Sequence, residues 1–89
     1  MFQYNGGLTM AHLTYYGDMR TLTGKNEDDL EAESLPGLLS VIEKKYGKAA
    51  KKAAKSSLIV VDNEKVLAIR KIKLQKASEV GFFPMCCGG

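Results

Sequence analysis

The stretch Ser34–Gly47 constrains this chain more than any other, because only a helix accommodates it. Ser34 is a residue type that caps helix N-termini, and Pro36 falls in the first turn, where its missing N–H costs no hydrogen bond. Leu35, Leu38, Leu39, Ile42 and Tyr46 recur at helical spacing and form one apolar stripe. Gly47 supplies a natural stop. A chain of 89 residues makes one domain with one small core, so this stripe must be buried against whatever the flanking segments form.

Those flanks read as strands. Ala11–Tyr16 alternates with period two, placing Ala11, Leu13 and Tyr15 on one face and His12, Thr14 and Tyr16 on the other. Gly17-Asp18 breaks it, Met19 and Leu22 are expected to tuck under the following loop, and Thr23–Asn26 turns the chain. Glu27–Glu33 is acidic, with Leu30 and Ala32 spaced by two, as in an edge strand whose charge discourages wrong pairing. After the helix, Lys48–Lys55 alternates pairs of alanine and lysine and predicts a short second helix. Its alanines face the body, while Lys48, Lys51, Lys52 and Lys55 form a solvated face or, alternatively, steer an acidic partner. Ser57–Val61 is apolar on both sides, as in a strand inside a sheet, and Asp62–Glu64 makes a turn. Val66–Leu74 is expected to return as one or two short strands, and Glu79–Phe83 is the last strand.

The element order predicts an α+β fold: a mixed four- to five-stranded sheet packed on one main helix, with a second short helix. The first and last strands can lie side by side and parallel at the centre, joined by a right-handed crossover. That topology is the β-grasp, or ubiquitin-like, fold. It leaves one sheet face bare of helices, and apolar residues on that face make a docking surface. Residues 1–9, with the turn signal Asn5-Gly6-Gly7, read as an extension of low order, to which Phe2 and Tyr4 could add an edge strand. Residues 10–84 form the domain, and residues 85–89 a flexible tail ending in Gly-Gly.

Several function classes lose support at this stage. A formal charge of +3 is too modest to argue for nucleic acid, and no apolar run is long enough to cross a bilayer. Cys86 and Cys87 are adjacent and cannot bridge the fold, so the chain reads as cytoplasmic with reduced thiols. His12 is the sole histidine and has no partner at ligand spacing, which leaves zinc and acid–base roles unsupported; no metal or bound cofactor is expected. The tail itself is suggestive. Gly88 and Gly89 lack Cβ atoms and make a thin probe whose terminal carboxylate could enter a narrow channel in another protein.

Glu79-Val80-Gly81-Phe82-Phe83-Pro84, followed by Gly88-Gly89, resembles the end of the MoaD/ThiS-like sulfur carriers, above all the small subunit of molybdopterin synthase. Tyr15–Gly24 is similar to that family's first strand with its following arginine, leucine and glycine, and Val61-Asp62-Asn63 to its valine–asparagine turn. Two departures stand out: Ala77-Ser78 where the family usually has Gly-Asp, and Met85-Cys86-Cys87 before the diglycine. The first is expected to change a turn with little functional consequence.

The resemblance implies that a ThiF/MoeB-like enzyme consumes ATP to adenylate the Gly89 carboxylate, and that a sulfur donor then displaces AMP to leave a thiocarboxylate. The chain would act as a co-substrate with no active site of its own. Gly88, Cys87 and Cys86 would follow Gly89 into partner active sites, including that of a large molybdopterin synthase subunit or another sulfur acceptor. Cys87 is close enough to capture the activated carbonyl, but a tail thiol without a base stays mostly protonated, so a spacer role is expected. Val80 and Phe82 share the core face. Phe83 points the other way and is the docking candidate, with Ile59 and Val61 expected beside it; the alternative is a core position, since large aromatics are usually mostly buried. A thiamine-type carrier and a ubiquitin-like modifier joined through Gly89 are the alternatives. The filled interval Gly47–Ser57 favours the molybdopterin type, because thiamine carriers are usually shorter there.

Overall fold

The computed structural model describes residues 9–85. The proposed edge strand at Phe2 and Tyr4, and the tail residues Cys86, Cys87, Gly88 and Gly89, lie outside the described residues. The chain order is β1 (Met10–Tyr15), α1 (Asp18–Thr23), β2 (Glu27–Glu31), α2 (Leu35–Tyr46), α3 (Lys48–Ser56), β3 (Leu58–Val61), β4 (Glu64–Lys65) and β5 (Glu79–Phe83). The strands form one sheet in the order β2-β1-β5-β3-β4, with β1 and β5 parallel at its centre and the other pairs antiparallel. This is the expected mixed sheet of a β-grasp fold.

Helix α2 forms for the reasons its sequence gives. The Ser34 hydroxyl accepts the Gly37 N–H at 3.1 Å, Pro36 lies in the first turn, and the Gly47 N–H closes the last turn on the Glu43 carbonyl. Its stripe of Leu35, Leu38, Leu39 and Ile42 is buried against Ala11, Leu13 and Tyr15 of β1, Val80 and Phe82 of β5, and Ile59 and Val61 of β3. Helix α3 adds Ala50 and Ala54 to the same core.

Three segments differ from expectation. Asp18–Thr23 is a short helix rather than a loop, started by Gly17 at φ 59° and ended by Gly24 at φ 73°, whose N–H reaches the Arg20 carbonyl. Met19 is buried, but Leu22, three residues on, points away from the core and is exposed. Val66–Leu74 is not a strand. β4 is only two residues long, and a 3-10 turn at Ile69–Lys71 follows. Val66, Ile69 and Ile72 pack on the core at intervals of three, which suits a tight turn and not the two-residue repeat of a strand. The segment is tied instead to the start of α2, by Leu35 N–H to the Ile72 carbonyl and Leu74 N–H to the Glu33 carbonyl. Finally, the Thr9 carbonyl accepts the Ala32 N–H at 2.9 Å, so pairing begins one residue before the predicted domain start.

Candidate functional site

The bare sheet face is built by the alternate residues of β1, β5 and β3. On β5, Val80 and Phe82 point into the core and Gly81 and Phe83 point out. The Phe83 ring stacks on Tyr16, with centroids 4.5 Å apart and planes 14° from parallel. The Arg20 guanidinium lies 5.2 Å from the Tyr16 ring centre, while Arg20 Nε donates to the Tyr15 carbonyl at 2.9 Å. Gly81 is required here. A Cβ at that position would sit 2.6 Å from Phe83 Cε1, so the ring lies over the strand only because the strand is bare there.

The register corrects the expected neighbours of Phe83. Ile59 pairs with Phe82 and Val61 with Val80, so both share the core face of those residues and are only 3% and 9% exposed. Neither is available for docking. The residues beside Phe83 and Gly81 are Leu58 and Val60, each half-buried. The outward patch is therefore Tyr16, Phe83, Leu58 and Val60.

One flank of this face is acidic. His12 of β1 sits between two carboxylates of β2, with Nδ1 3.0 Å from Asp29 Oδ1 and Nε2 2.8 Å from Glu27 Oε1. Both ring nitrogens can donate only in the imidazolium form. The Asp29 hydrogen bond raises the His12 pKa above its ordinary 6.5; burial, the next largest influence, opposes it, and the Glu27 hydrogen bond then adds to the rise. The other flank is set by Asp62, whose Oδ1 accepts the Glu79 N–H at 2.8 Å and whose Oδ2 accepts the Ser78 hydroxyl at 3.1 Å. Ser78 Oγ in turn accepts the Gln75 N–H at 2.8 Å. In this turn Ala77 adopts φ 64°, a conformation that favours glycine. The Ala77-Ser78 departure thus carries a local conformational cost and a compensating side-chain bond.

Beneath the sheet, sequence reasoning missed Asp28. It occupies an inward position of β2, and its carboxylate accepts from the hydroxyls of Tyr15, at 3.2 Å, and Tyr46. Lys45 Nζ and Lys25 Nζ stand 3.5 and 3.7 Å from its other oxygen. Burial alone would raise the Asp28 pKa, but the Tyr46 hydroxyl and then Lys45 and Lys25 outweigh it and hold the carboxyl below its ordinary value. Burial, followed by the Asp28 charge, pushes the Tyr15 hydroxyl well above its ordinary range. The available signal was parity: Asp28 shares its strand face with Leu30.

β5 leads out of the sheet through Pro84 and Met85 at a defined place. Gly17, in the left-handed region, lets the chain after β1 pass close to Pro84; a Cβ on Gly17 would lie 3.2 Å from Pro84 Cβ. A cavity of about 280 Å³ opens at this root, lined by residues that include Asp18, Ser56, Ser57 and Pro84. Among the described residues, no group of three or more His, Cys, Asp and Glu is placed to hold a metal ion, and no helix is long and apolar enough to cross a membrane.

The family described as ThiS matches residues 13–89. No curated protein sequence matches the chain. Among solved structures, the fold is similar to small archaeal modifier protein 1 from Methanosarcina acetivorans, at 20% identity and a TM-score of 0.74, covering 94% of this chain and 100% of that one. It is also similar to a chain of the complex of subunits 1 and 2 of molybdopterin-converting factor from Helicobacter pylori. There the identity is 17% and the TM-score 0.68, with 91% and 100% of the two chains covered. A third likeness is the putative molybdopterin converting factor subunit 1 from Pyrococcus furiosus, at 21% identity and a TM-score of 0.63, with 85% and 97% covered. At these identities the likeness is one of fold.

Proposed function

The chain belongs to the ThiS family, and from that premise we propose that it is a sulfur carrier for molybdopterin biosynthesis, with Gly89 as its reactive residue. The observation that carries this reading is that the family match runs past the last strand through Gly88 and Gly89. A carboxylate is a poor electrophile. In the proposed reaction, a ThiF-like enzyme directs the Gly89 carboxylate onto the α-phosphorus of ATP, releasing pyrophosphate and forming an acyl adenylate. Sulfide sulfur from a donor then attacks the carbonyl carbon, the bond to AMP breaks, and a thiocarboxylate remains. The chain supplies the carboxylate and a docking face; the base, the nucleotide site and the sulfur come from partners, in the cytoplasm.

The Tyr16–Phe83–Leu58–Val60 patch supports such docking, because it is apolar, outward and on the same sheet face as the strand that leads to Pro84. A second subunit of the kind present in the Helicobacter pylori complex would take this face when sulfur is delivered. Incubation with a ThiF-like enzyme, ATP and a sulfide source should raise the intact mass by one oxygen-to-sulfur exchange, and deletion of Gly89 should abolish the change. No exchange with an activating enzyme shown to be competent on another carrier would sink the proposal.

Likeness to a small archaeal modifier protein favours a second reading, in which the same adenylate leads to an amide bond with lysines of other proteins. Covalent adducts on cell proteins that vanish when Gly89 is deleted would favour the modifier. Co-purification with a large synthase subunit would favour the molybdopterin carrier, and thiazole formation supported by the thiocarboxylate would favour the thiamine-type carrier.

A further inference from the structure

The net charge of +3 conceals a strong separation. Residues 44–76 hold eleven of the thirteen Lys and Arg residues, against two acids, Asp62 and Glu64. In the fold this stretch forms the end of α2, all of α3, β3 and β4, and the loop and 3-10 turn beyond β4. Of these cations, only Lys45 and Lys51 have a carboxylate within ion-pair distance among the described residues. The same loop carries Leu67, which is 89% exposed.

These cations do not surround a purely polar surface. Between α2, α3 and the 3-10 turn lies an open groove of about 520 Å³ lined by Pro36, Ala68 and Ile69, with the buried Leu39 behind them, and by Lys51, Lys55 and Arg70. A second hollow, lined by Lys48 and Lys52 with the same Lys51 and Lys55 and by Glu43, which pairs with Lys51 at 3.4 Å, adjoins it along α3. The groove lies on the helical layer, on the opposite side of the sheet from Phe83.

We infer that this groove binds an acidic amphipathic helix of a partner protein. An apolar lining beside cations complements a helix whose apolar stripe is flanked by carboxylates, and such helices dock by laying the stripe into a groove. Nucleic acid fits less well: no aromatic side chain lines the groove to stack on a base, and phosphate contacts would leave the apolar lining unused. Because the groove and the Phe83 patch face opposite ways, one partner can hold the protein here while the sheet face stays free for another.

The test uses the whole chain, isotopically labelled, and a synthetic helical peptide with leucines at i, i+3, i+4 and i+7 and glutamates elsewhere. Binding should shift the amide resonances of Leu39 and Ile69, weaken as salt rises, and fall by about tenfold or more in a Lys55→Glu/Arg70→Glu double variant. Serine in place of the peptide's leucines should weaken it by a similar factor, and this comparison leaves the protein unaltered. Equal binding of the serine peptide would overturn the inference, since only diffuse charge attraction would then be at work. Tighter binding of an oligothymidylate, or of phosphatidylglycerol vesicles, would also overturn it.

Discussion

Asp28→Asn tests whether a buried charge, invisible as such in the sequence, organises the end of the sheet nearest α2. Asparagine keeps the shape and one acceptor but removes the charge. The Asp28 side chain is 6% exposed, and one of its oxygens receives both the Tyr15 and Tyr46 hydroxyls. Hydrogen bonds to an ionised group contribute about 1.5–3 kcal/mol each, roughly twice their neutral counterparts. Loss of charge assistance on two such bonds therefore removes roughly 1.5–3 kcal/mol, less the burial penalty that asparagine no longer carries. The lysines are nearly half exposed, and their share is discounted for solvent screening. A loss of about 2 kcal/mol should lower the Tm of a domain this size by about 8–16 °C.

The sign of the pH dependence is fixed by the direction of the shift. Asp28 has a folded pKa below its ordinary 3.8, so its contribution is present above that value and is lost as pH falls through the folded pKa. Urea denaturation followed by circular dichroism should therefore show the full gap between wild type and Asp28→Asn at neutral pH, closing in the acid range. A variant within about 0.5 kcal/mol of wild type at pH 7, or a gap that does not change on acidification, would refute the reasoning.

Other perturbations separate the remaining elements. The His12 pKa is raised, so its stabilisation should be complete below 6.5 and lost as pH climbs through the folded value; an imidazole titration followed by NMR with a midpoint at or below 6.5 would contradict this. Ala77→Gly should stabilise the turn by up to about 1 kcal/mol, the relief of a left-handed alanine less glycine's backbone entropy. A destabilised variant in urea would mean that the turn is not strained. Phe83→Ala should leave cooperative unfolding in place and slow activation, whereas Ile59→Ala should cost about 2–5 kcal/mol as a core truncation. Equal effects of the two substitutions on stability would erase the distinction between patch and core.

The fold was legible wherever polarity alternated with structure. β1 interleaves polar His12 and Thr14 between core residues, and α2 carries its cap, proline, stripe and terminal glycine in order, so pattern and architecture coincide. Leu58–Val61 offers no such contrast. Four apolar residues in a row leave the inward parity undetermined, and only the pairing of Ile59 with Phe82 assigns it. In Val66–Leu74, basic residues mask a three-residue repeat that becomes visible only once the segment is seen tied to α2. Asp28 was hidden for a different reason: one acid among five reads as surface, and its partners Tyr15 and Tyr46 come from distant parts of the chain.

The contact between Gly17 and Pro84 sets a length scale for any partner. It pins the outgoing chain at the mouth of the sheet, so the reach of the residues beyond is counted from Met85 onward. Gly89 lies four residue steps beyond Met85, and a fully extended chain advances at most about 3.3–3.6 Å per residue. Gly89, the residue proposed to react, can therefore reach no farther than about 14 Å from Met85. Under the proposed reaction, an enzyme that grips the Phe83 face would hold its reactive centre within that radius, so the fold acts as a depth gauge and a shortened tail would fall short of it.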